Sequence, residues 1–241
     1  MLGAASAPRR DVSELFVGGI MICVNSAPVE ETGDRHRSGP ADQRPRRWGA
    51  MLIVALVAGV LLGPLDLAGQ VHSPYPYANL FNSPAAWAAA AFVFGRWAVD
   101  LVSAVVGAVV VMVVGVETYY ATDVLVRDAN VSNLWSSVAF VWLVLGIGAG
   151  VSFGAAGALS SRAGSWAGAA SSATLPAVFL AEAAHEASTS RDAGWIVLLI
   201  VAATATTLWL LRRADRTSIE RAMLCLAGWS VAGLVAYLPF G

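Results

Sequence analysis

The chain has 241 residues, of which 57% are hydrophobic and 13% charged, with a mean hydropathy of +0.66 and a net charge of −1. Charged residues are about half the usual quarter of a soluble domain, and apolar runs near the about 20 residues that cross a bilayer core recur along the chain. An ordinary soluble domain is excluded, and so is a global field for nucleic acid or an acidic partner. All 15 basic residues are Arg, which with the Ala, Gly and Val richness reads as the codon bias of a GC-rich genome. Cys23 and Cys225 lie far apart, one in the leader and one in a span, and make neither a disulfide pattern nor a metal spacing.

In chain order, residues 1–47 read as a disordered cytoplasmic leader, polar and mixed in charge through "EETGDRHRSGPADQRPRRW". Within it "LFVGGIMICV" (15–24) is too short to span, and no convincing cleavage site follows that would make it a signal peptide. Met21 and Met51 offer alternative starts, which would leave part of the leader out of the natural chain. Residues 48–241 read as one transmembrane domain.

The first span is "WGAMLIVALVAGVLLGPLDLAG" (48–69), followed by the Pro- and Asn-bearing loop 70–83. Ser83-Pro84 is a helix start, a capping hydroxyl followed by proline at the first helical position. From Pro84 the chain stays mostly apolar to Ala121, about 55 Å as one helix and too long for a bilayer core of about 30 Å. Two spans are expected there, 84–98 and 100–121, turning at Gly95-Arg96. Four more follow at 134–158, 164–186, 194–211 and 218–239, the last opening on a capping box from Thr217 to Glu220.

The fold class is therefore all-α: a polytopic transmembrane bundle of seven spans, N-terminus in and C-terminus out. Seven spans put 13 Arg inside and 2 outside, whereas merging 84–121 into one helix gives 9 and 5. Seven of the nine Trp fall at predicted span ends, as interfacial belts require.

Gly146, Gly150 and Gly154 in "GIGAGVSFGAAG", and Gly59 with Gly63 in the first span, form stripes suited to close helix packing. A nucleotide loop is excluded there, since no strand precedes the stretch and no Lys follows. Pro64 and Pro176 sit inside spans, where proline bends a helix.

Glu182, His185 and Glu186 share one helix face in "AEAAHE". Like charges four apart repel, and a shared proton or bound cation would relieve that. Asp66 and Glu117 reach the same side on other spans, so Asp66, Glu117, Glu182 and His185 are the candidate ligand-binding residues of an outward-facing acidic pocket. On this reading Glu182→Gln keeps the shape and leaves the fold intact, while Glu186 is interfacial. Glu182-x-x-His185 is one copy of a ligand pair that di-iron bundles need twice. No metal site, cofactor, nucleophile elbow or His-Glu-x-x-His follows. Asn130-Val-Ser132 forms a glycosylation sequon on an outer loop.

The stretches "GVLLGPLDLAGQ" (59–70), "ANLFNSPAAWAAAAFVFG" (78–95) and "FLAEA" (179–183) resemble a family of small, uncharacterised actinobacterial multi-pass membrane proteins, a domain of unknown function. The resemblance covers residues 52–183 and implies architecture and a place in the bacterial cell membrane, but no activity.

Two functions are expected to compete. One is transport or sensing of a small polar or cationic ligand. The other is a non-catalytic scaffold or accessory subunit that packs through its small-residue faces on a membrane-protein partner or a second copy. An enzyme ranks third, since no nucleophile–base pair is complete. The lipid bilayer is the expected partner in each case, and nucleic acid in none.

Overall fold

Four helices, Arg47–His72 of the first and three later ones, are long and apolar enough to cross a membrane. The structure is a computed structural model and describes residues 13–17, 20–24, 44–162, 164–189, 191–212 and 214–237. Its helices are α1 (Arg44–His72), α2 (Tyr77–Phe81), α3 (Pro84–Trp97), α4 (Leu101–Arg127), α5 (Ser137–Leu159), α6 (Trp166–Ser188), α7 (Ala193–Leu211) and α8 (Arg216–Tyr237). With α1, the apolar set is α4, α5 and α7.

Residues Met1–Pro40 form a separate unit. In it β1 (Ser13–Val17) pairs antiparallel with β2 (Ile20–Val24), Val17 opposite Ile20. Two β-prone runs separated by Gly18-Gly19 are a hairpin signal in sequence. Residues 44–47 of the leader already belong to α1, and residues 1–12, 18–19 and 25–43 lie outside the described residues.

In the helical unit the chain alternates up and down. α1 runs beside α4, α4 packs on α3 and α5, and α6 packs on α7 and α8. α3 touches α4, α5 and α6 and so lies between the two groups. Its sequence suits that place, because Ala85, Ala88, Ala91, Phe92, Phe94 and Gly95 are all buried.

Glycines set the closeness of these contacts. A Cβ on Gly150 would lie 2.7 Å from the Val109 Cα, and one on Gly154 would lie 2.9 Å from the Ala104 carbonyl oxygen. Gly59 would meet the Val111 carbonyl at the same 2.9 Å, Gly63 would strike the Gly115 carbonyl, and Gly146 touches Met112 at an ordinary 3.5 Å. The expected packing stripes thus face α4.

The break between α3 and α4 falls at residues 98–100, later than the expected turn at Gly95-Arg96. Gly95 stays helical against Gly154, and Asp100 supplies the stop by capping α4 in a box with Ser103. The Ser103 backbone N–H, 2.8 Å from Asp100 Oδ1, holds that carboxyl below the usual range. α5 starts later than expected because Val131–Trp135 forms a 3₁₀ turn and Ser136 caps the helix. The capping box expected at Thr217 to Glu220 does not form. Thr217 donates to Asp215, and Glu220 pairs with Arg216 at 3.2 Å.

The two ends of the unit differ in charge. At one end Arg96 donates to Ser160 Oγ at 2.5 Å and lies over the Trp209 ring, while Arg221 donates to the Gly164 carbonyl and covers Trp166. These contacts bring the α3–α4, α5–α6 and α7–α8 turns together. The other end carries Asp66, Asp123, Glu182 and Glu186.

Candidate functional site

α3 has 14 residues, about 21 Å at 1.5 Å per residue. It meets α6 at Glu182, six residues before α6 ends at Ser188, so its first turn opens inside the bundle. The first N–H groups of a helix have no partner within it. Pro84 has no N–H to satisfy, and the Ser83 hydroxyl accepts from the Ala86 N–H at 3.3 Å. The Ala85 N–H donates to Glu182 Oε2 at 3.1 Å, and Ser83 Oγ donates to the same oxygen at 2.9 Å.

Glu182 is 5% exposed and Ser83 1%. A carboxylate on one helix therefore caps another, and the positive end of the α3 dipole offsets part of the cost of burying its charge. The acid within α6 has a structural cause.

Asp66, 6% exposed on α1, performs a matching task on the opposite side of α3. Its Oδ1 accepts from the Trp87 indole N–H at 3.2 Å, and its Oδ2 accepts from the Gln70 amide at 2.9 Å. Gln70 also donates to the Phe81 carbonyl at 3.4 Å and accepts from the Tyr119 hydroxyl at 3.4 Å. Four elements, α1, α2, α3 and α4, are thereby tied to one carboxylate. The usable signal was Trp87: an indole N–H on an all-alanine stretch of helix must find an acceptor when it is buried.

Between these two carboxylates lies a cavity of about 990 Å³. α1 contributes Asp66 and Gln70, α3 Trp87 and Ala88, and α4 Met112, Val116, Tyr119, Tyr120 and Asp123. α5 supplies Trp142, Leu145, Gly148, Ser152 and Phe153, while α6 supplies Val178, Glu182, His185 and Glu186. Of the four expected site residues, Asp66, Glu182 and His185 line this one cavity, and Glu117 does not. α4 runs on to Arg127, well past the expected end at 121, which leaves Glu117 in mid-helix, half-buried and off the cavity face. Asp123, Trp142 and the tyrosines Tyr119 and Tyr120 take the place it was expected to fill.

The lining contains four carboxylates and neither Arg nor Lys; Asp123 pairs with Arg127 at 3.4 Å. Among the described residues no three His, Cys, Asp or Glu side chains gather to hold a metal ion. The three stretches that carry the family resemblance supply Asp66, Gln70, Asn79, Asn82, Ser83, Trp87 and Glu182 to the cavity wall.

No curated protein and no solved structure matches the chain. One family model does, over residues 42–241, which is the whole helical unit bar one residue. The chain belongs to that family, DUF6518, a family of unknown function.

Proposed function

We propose that this protein is a multi-pass protein of a bacterial cell membrane, in which every helix but α2 crosses the bilayer, N-terminus cytoplasmic and C-terminus outside. Its cavity then opens outward and receives a small polar or cationic ligand, for transport or for sensing. The observation that carries this reading is the lining: Asp66, Asp123, Glu182 and Glu186 with no Arg or Lys among them. Carboxylates on low-dielectric walls focus a negative potential that concentrates cations, and acids within spans usually face a cavity or a partner.

The seven-span arrangement has two supports. The arginine end of the unit suits the cytoplasmic side by the positive-inside rule. α3, α6 and α8 are not among the helices long and apolar enough to cross on their own, but α3 is covered by α4, α5 and α6, and α6 by α7 and α8, and acids within spans are tolerated where they face protein or a cavity. The scaffold reading needs a small-residue face free for a partner; Gly146, Gly150 and Gly154 are packed on α4 instead, which favours the ligand reading.

Purified protein in lipid nanodiscs, titrated at constant ionic strength with Na⁺, Mg²⁺, ethanolammonium or tetramethylammonium, is expected to melt higher with at least one of them. A ligand that binds only the folded state adds about 2.7 kcal/mol at 100 times its Kd. A midpoint that follows ionic strength alone, with no cation-specific rise, sinks the ligand reading in favour of the scaffold.

A further inference from the structure

The cavity is polarised along the helix axes. Its carboxylates come from helix ends: Asp123 near the end of α4 and Glu186 near the end of α6. Its apolar wall comes from mid-helix positions, Met112 and Val116 on α4, Phe153 on α5 and Val178 on α6. Met112 to Asp123 is about 16 Å along α4. The cavity is also open along α5, where the lining residues Trp142, Leu145, Gly148 and Ser152 are themselves exposed.

A bare metal ion does not suit this site. Mg²⁺ or Ca²⁺ asks for several oxygen ligands at about 2.0–2.6 Å. Both oxygens of Asp66 already accept from Trp87 and Gln70, and Glu182 Oε2 accepts from Ser83 and Ala85. Asp123 has Arg127. These carboxylates offer a field rather than a coordination shell. A diffuse organic cation needs only that field and ring faces within about 6 Å. Trp87, Tyr119, Tyr120 and Trp142 line the same end, and Tyr119 and Tyr120 stand edge to face at 5.4 Å and 84°, so their rings face different directions. The volume of about 990 Å³ is at the upper end of small-molecule pockets, about 300–1,000 Å³.

We infer that the ligand is an amphipathic organic ammonium, its cationic head among the carboxylates and rings at the acidic end and its apolar body along the mid-helix wall, entering by the side open along α5. The inference rests on the ligand reading above and names the ligand's class. A Cβ at Gly148, on the exposed lining of α5, meets nothing within 4 Å, so a side chain there leaves the backbone into open space on the cavity wall.

The test uses the full chain in nanodiscs with three probes: hexyltrimethylammonium, tetramethylammonium and neutral 1-hexanol. Hexyltrimethylammonium is expected to bind at least tenfold tighter than either of the others, because buried methylenes add to the ionic term. Gly148→Trp is expected to keep the unliganded melting temperature and to weaken that binding at least tenfold. Trp142→Ala, at a residue 43% exposed, is expected to weaken it at least threefold and serves if Gly148→Trp does not fold.

Equal binding of hexanol overturns the proposal, since the groove would then recognise only apolar length. Tetramethylammonium, Na⁺ or Mg²⁺ binding as tightly overturns the amphipathic class but leaves the cation reading standing. Silence from every cation removes both. Undiminished binding in the folded variants places the ligand elsewhere and overturns the site.

Discussion

Glu182→Ala is expected to destabilise the folded protein by about 3 kcal/mol, and Glu182→Gln by about 1 kcal/mol. Alanine removes the acceptor of two buried donors, the Ala85 N–H and the Ser83 hydroxyl. A buried donor left without its acceptor costs about 1–3 kcal/mol, and more where the lost partner was charged. Glutamine keeps one acceptor oxygen in the same place but loses the charge that faces the helix N-terminus, an effect of about 0.3–2 kcal/mol.

The sequence-based expectation that glutamine would be harmless treated Glu182 as a repelled acid in a ligand site. In the structure it is held by two donors, so the charge stabilises. Thermal unfolding of the three proteins, with hydrogen exchange at Ala85 and Ala86, checks this. Exchange should rise strongly for the alanine variant and slightly for the glutamine one. Melting of Glu182→Ala within a degree of the parent would show that Glu182 does not cap α3.

Gly154→Leu is expected to cost more than 3 kcal/mol or to abolish the folded state. Its first side-chain atom alone would lie 2.7 Å from the Ala108 Cβ and 2.9 Å from the Ala104 carbonyl. Overpacking a fitted core costs about 1–3 kcal/mol when neighbours can shift; here the nearest atoms are the Ala108 methyl and the Ala104 backbone of α4, which move only by separating α4 from α5. Gly148→Leu on the same helix is the control. It meets open space, and losing a mid-helix glycine favours the helix by about 0.5–1 kcal/mol. Equal melting temperatures for the two variants would mean that the Gly154 face is not packed.

Most helices were legible because burial in a bilayer or a bundle imposes long apolar runs bounded by recognisable caps. Ser83-Pro84 starts α3 as read, and α7 spans residues 193–211 against an expected 194–211. Boundaries failed where a local bond competed with hydropathy. α4 continues beyond Ala121 to Arg127, with Asp123 paired to Arg127 across its last turn. Glu117 stands two residues before the cavity-lining Tyr119 and so on another face of α4.

The site was half legible for a related reason. Hydropathy marks Asp66 and Glu182 as acids out of place, but it carries no information on which N–H each one faces. Those partners, Trp87 and Ala85, come from a helix whose shortness becomes consequential only once α6 and α1 are packed around it.

Reporter fusions, one set after Gly241 and one within residues 184–193, test the central claim of an acidic cavity facing outward most directly. Both positions are predicted to report an external location, with a fusion at residues 160–165 reporting a cytoplasmic one. A cytoplasmic signal within 184–193 would turn the acidic end inward and contradict the account, and one at Gly241 alone would contradict the seven-span arrangement.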